Sequence, residues 1–156
     1  MAETNDLWPI EAMWRAADLT RAYLAQDPAR VADCLTGLDT EWLERALCWL
    51  VLDHDALFDE LGEPSLTVRV IDAVAALAPA ENEFAATTAV RRVAAKETGL
   101  THAVEGLALL DQIHTIAICT VVMMLEALGH TLAVEQLDAR TVDYERRGYP
   151  RPYTLS

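Results

Sequence analysis

Residues 114–130 read HTIAICTVVMMLEALGH, a histidine at each end of a segment whose first charged residue is Glu126. The uncharged run extends only from Gln112 to Leu125, fourteen positions, whereas a bilayer span needs roughly 20 predominantly apolar residues. A buried helix therefore fits better than a membrane span. Leu107, Leu110, Ala117, Val121, Met124 and Leu128 make one apolar stripe on it, and Ile113, Ile116, Thr120, Met123 and Ala127 make another. A helix that is apolar all round in a globular protein is covered all round. The expectation is a central helix over about 101–128, enclosed by its own chain or shared with a second subunit.

Most other segments between helix breakers carry the same 3.6-residue periodicity. A first helix is expected from near Pro9, with Ile10, Met13, Ala17 and Leu24 on its inner face. Asp27-Pro28 reads as an N-cap followed by proline in the first turn of a short helix. Asp39 or Thr40 caps a longer one, striped with Leu43, Ala46, Leu47, Leu50, Leu57 and Leu61 up to Gly62. Ser65 is expected to cap a fourth helix bearing Leu66, Val70, Val74 and Leu77. A fifth is expected over about 80–98 and a seventh from Thr131 to Arg147. Together these predict an all-α single domain, a bundle or orthogonal array of six to seven helices over residues 1–147. The prolines of "GYPRPYTLS" forbid helix, so residues 148–156 are expected to form an extended tail.

The chain of 156 residues is long enough to bury a core without cross-links. Its three cysteines, Cys34, Cys48 and Cys119, form no Cys-x-x-Cys pair and fit reduced thiols. The N-terminal "MAETNDLWPIEAMW" is acidic and lacks the apolar run of an export signal, so a cytoplasmic location is expected. The net charge of −13 is uneven: residues 1–83 hold seventeen acids and five arginines, residues 84–156 eight acids and seven bases. Such a field repels nucleic-acid phosphate and anionic lipid and attracts a basic protein surface.

Few residues offer chemistry. His54-Asp55 resembles the dipeptide of metal-dependent HD phosphohydrolases, whose pattern also needs an earlier, separate histidine; none precedes His54. Glu41-x-x-Glu44 and Glu60-x-x-Glu63 superficially resemble the paired acidic motifs of all-helical nucleotide pyrophosphohydrolases, but they stand at helix ends, where capping and solubility explain acids equally well. Asp111 and His114 are one turn apart and, with His54, make the candidate metal set; Asp111 holding the His114 tautomer is the plainer reading. Glu126 and His130 also point the same way. No Cys/His pair stands at a recognisable catalytic spacing.

Trp8, Trp14, Trp42 and Trp49 read first as core packing. Trp42 and Trp49 lie seven apart on one helix and become interaction candidates if exposed. Tyr149 and Tyr153 in the arginine-tyrosine tail are candidates of the same kind, on a free end or an arm laid on its own or a neighbouring subunit. The sequence thus predicts a non-enzymatic, self-associating interaction module of adaptor, inhibitor or immunity type that meets a basic partner, with no cofactor. A small metal-dependent hydrolase or ligand-binding bundle is the rival, and a nucleic-acid-mimicking inhibitor a third reading.

Overall fold

The computed structural model describes residues 7–153, with side chains from Ile10 onward. Among them the chain is all-helical: α1 (Leu7–Leu24), α2 (Pro28–Asp33), α3 (Thr40–Glu60), α4 (Val68–Ala75), α5 (Ala80–Ala94), α6 (Leu100–Val104) and α7 (Leu109–Arg146), with no strand. α7 is the hub. It packs against α1, α3, α4, α5 and α6, while α1 also packs on α3 and α5 on α4.

The reason lies in α7's side chains. Every residue from Ile113 to Met124 is buried within the one chain, twelve in succession, so both stripes are covered over that stretch, whereas Leu110 and Ala127 at their ends are exposed, contrary to expectation. Met123, on the second stripe, is enclosed like Val121 on the first. Met123 therefore needs no second subunit to cover it. By length and composition α7 is apolar enough to cross a membrane, the one such helix among the described residues; here its most apolar stretch lies inside the bundle.

Local signals set several boundaries. Asp27 accepts a hydrogen bond from the Arg30 amide at 3.1 Å with Pro28 in the first turn of α2, and Asp39 accepts one from the Trp42 amide at 3.0 Å. These caps satisfy amides that a helix start leaves unpaired.

Other boundaries differ from the sequence expectation. Ser65 caps nothing: residues 64–67 form no regular element, with Thr67 extended, α4 begins at Val68, and the Thr67 hydroxyl donates instead to Glu126 at 2.9 Å. α5 stops at Ala94 because Lys96 turns left-handed (φ 62°) and the Glu97 amide closes back on the Arg92 carbonyl at 3.1 Å. The expected helix over 101–128 is two. Gly106, at φ 83°, ends α6 and lets the chain turn before α7 starts at Leu109, which leaves Leu107 outside the helix. At Gly129 (φ 79°, ψ 166°) the backbone leaves helical geometry, so α7 is two helical segments joined across a kink, broken where the sequence expected one helix to end and the next to begin. Its second half leans on α3 through Arg140 and Asp53, 3.0 Å apart.

Candidate functional site

Three places combine polar chemistry with burial: His114, His54 and Asp18. They differ in what surrounds them.

His114 is closed in. Its Nδ1 shares a 2.7 Å hydrogen bond with the Tyr23 hydroxyl of α1, with the two rings edge-on. Burial lowers the imidazole pKa to about 4, against a partial upward pull from Asp111 and Glu81, so the ring is neutral at pH 7. Asp111 does not hold it. The Asp111 carboxylate instead accepts from the Asn82 side-chain amide of α5 at 2.8 Å.

His54 is on α3 and faces α7. Its Nδ1 donates to Asp55 at 3.0 Å, and its Nε2 lies 3.8 Å from the Cys119 sulfur. In the neutral ring that leaves the Nε2 lone pair facing the thiol. Thiol, imidazole and carboxylate thus stand in the order of a nucleophile, its base and an orienting acid. The thiol, however, is not activated: burial pushes its pKa up to about 12, and the thiolate is the reactive form. The arrangement is a hydrogen-bonded wall.

That wall borders open space. A cleft of about 500 Å³ runs beneath α6, lined by His54, Phe58, Leu66, Lys96, Cys119 and Met123 among others. A second hollow of about 390 Å³ adjoins it, sharing His54, Asp55, Leu100 and Thr101. α6 rests on α5 and α7, and α3 forms the opposite wall. Phe58 stacks on the His54 ring at 5.9 Å with the planes 20° apart.

The metal candidates do not converge. His54, Asp111 and His114 each have separate partners, and among the described residues no group of three or more His, Cys, Asp or Glu side chains is placed to hold an ion. Glu126 and His130 also part: Glu126 accepts from Thr67, and His130 Nε2 donates to the Leu24 carbonyl at 2.8 Å.

The third place is Asp18, on α1 and only 4% exposed. The chain's other end neutralises it. Arg151 pairs with it at 2.7 Å and 3.2 Å, and the Tyr153 hydroxyl donates to it. Arg15 lies 3.8 Å over the Tyr153 ring, and Arg151 4.6 Å over Trp14. The Trp14 indole N–H donates to the Tyr149 carbonyl at 2.8 Å. Burial first, then the Asp18 contact, raises the Tyr153 pKa and keeps the phenol protonated. The tail through Tyr153 therefore lies on its own α1, leaving the Tyr149 ring partly exposed.

Of the tryptophans, Trp14 is buried, and Trp42 and Trp49 are half-buried, Trp49 against the main core; Trp8 lies outside the described side chains. Sequence reasoning missed both the His54–Cys119 contact and the Asp18 clamp. Each joins residues far apart in the chain, 65 and 133 positions respectively.

Outward, α3 carries a row of exposed residues that includes Glu41, Glu44, Cys48, Leu52, Asp55 and Asp59. Leu52 is 60% exposed. No family model, curated protein or solved structure matches the chain.

Proposed function

We propose that the protein is a non-enzymatic interaction module of the cytosol that receives a basic, amphipathic protein segment on the outer face of α3. The observation that supports this reading is the exposed Leu52, set between Glu41 and Glu44 on one side and Asp55 and Asp59 on the other. An apolar residue with acids further along the same helix face is how interfaces combine a contact that excludes water with charges that steer the partner. The field of a −13 chain adds attraction for the same kind of partner. An adaptor, inhibitor or immunity-type role suits such a face.

Mimicry of nucleic acid fits it less well. Glu44 and Asp55 are about 16 Å apart along the helix axis at 1.5 Å per residue, and Cys48 and Leu52 occupy the interval, whereas phosphates follow one another every 3.4 Å or so along a strand. A metal-dependent hydrolase lacks a convergent ligand set among the described residues.

The test is fluorescence anisotropy with a labelled helical peptide carrying lysine on one face and leucine on the other. Binding is expected to weaken about tenfold between roughly 50 and 300 mM salt. Leu52→Asp should abolish it, while Phe84→Asp, at the 83%-exposed Phe84 of α5, should leave it unchanged. Salt-independent binding, or full binding by Leu52→Asp, would retire this reading.

A further inference from the structure

We propose that the cleft beneath α6 binds a small organic cation with an apolar or aromatic body. This site adjoins the α3 face and shares Asp55 with it, but its other walls lie elsewhere and the proposal does not rest on that reading. Cores of folded proteins are close-packed and hold few voids larger than a water molecule. Here His54 and Cys119 of the core border about 500 Å³ of open space, with about 390 Å³ more adjoining. That size lies within the range of pockets that enclose small molecules.

The walls define the body of the ligand. Phe58, Leu66, Val93, Leu100 and Met123 are apolar, and Phe58 adds an aromatic wall of the kind on which organic cations rest. The rim defines its charge. Asp55, Glu63 and Glu105 are the acids among the lining residues of the two hollows, and Lys96, the chain's single lysine, is the one permanent base. With a net charge of −13 behind that rim, an anionic ligand meets net repulsion on approach, relieved only beside Lys96, and a cation meets net attraction. The thiol and imidazole, 3.8 Å apart, present a polar contact at the cleft's inner end.

α6 borders the open cleft. It is a five-residue helix between Gly99 and the left-handed Gly106, resting on α5 and α7. A short helix between two glycines can shift at low cost to admit a ligand.

The experiment titrates the intact protein with rhodamine 6G, a flat aromatic cation, and in parallel with anilinonaphthalene sulfonate, an anion of comparable size, following dye anisotropy. Saturable one-to-one binding of the cation is expected, with the anion at least tenfold weaker. Thr101→Trp, in the wall shared by both hollows, should abolish cation binding. Ser65→Trp, on the loop that lines the cleft ahead of α4, provides a second occlusion should the first fail to fold by circular dichroism. Glu63→Gln should weaken the cation severalfold, whereas Glu41→Gln, an equal charge change on the far end of α3, should not. Equal or tighter binding of the anion overturns the proposal, as does cation binding that survives a folded occluding variant or that responds equally to Glu63→Gln and Glu41→Gln.

Discussion

His114 and His54 are both buried, 2% and 7% exposed, and both lie where α7 meets another helix. Around His114 the packing is complete: Tyr23 caps its Nδ1, and its neighbours in sequence are covered. Around His54 the packing stops, and the imidazole, though bonded on both nitrogens, forms the wall of a cleft. Fractional exposure alone hardly separates the two. What separates them is the volume next to the side chain, which sets whether a polar group serves the fold or faces a visitor.

The largest effect that would break this contrast lies in the closed region. Val121→Asp puts a carboxylate where nothing pairs with it, and a cost of about 4 kcal/mol or more is expected, enough to unfold a marginally stable domain. Thr101→Asp on the cleft wall should change stability by no more than about 0.5 kcal/mol. Urea unfolding of the two variants measures both, and comparable losses would mean that the cleft is as closed as the core.

Next in size is a pH effect confined to the closed histidine. In the unfolded chain His114 takes up a proton near pH 6.5, while in the folded protein burial delays protonation to about pH 4. The unfolded state therefore binds more protons between those values. Stability is full above pH 6.5 and falls as the pH drops toward 4, by about 3 kcal/mol in all for this group. Urea midpoints at pH 7 and 4.5 should fall less steeply in His114→Gln than in the parent protein. Parallel slopes would show that His114 carries no such penalty.

The smallest effect compares the two hydrogen bonds directly. Tyr23→Phe strands a buried ring nitrogen and is expected to cost about 1–3 kcal/mol. Asp55→Asn, at a carboxylate 70% exposed where water can take its place, should cost at most about 0.5–1 kcal/mol. Reversal of that order would place the better-sealed histidine on α3.

The contrast was only half legible in the sequence. The burial of α7 was readable because an uncharged segment apolar on two faces has one stable environment, and the caps Asp27 and Asp39 because a cap is settled within four residues. The ends of α5 and α6 were not. Lys96 has no intrinsic preference for the left-handed turn it makes, and Gly106 reads equally well as a glycine tolerated inside a helix. The cleft depends on those two breaks, so it was invisible with them. His54 falls between Leu50 and Leu57 of the inner α3 stripe and Cys119 within the uncharged run of α7, but their meeting is set by the sliding register of α3 against α7, which periodicity does not encode. Asp18 follows Trp14 by one turn on a helix read as packed inward; a carboxylate on the side that buries Trp14 was the available signal that something distant had to neutralise it.

That distance affects how the molecule is made. Asp18 leaves the ribosome 133 residues before Arg151 does, so while α1 to α7 are being synthesised its carboxylate has neither its arginine nor its tyrosine. A charge buried without its partner is costly, and α1 can remain loosely held until the tail emerges. The final seating of the first helix then waits for Arg151 and Tyr153 to emerge, and the order of assembly departs from the order of synthesis.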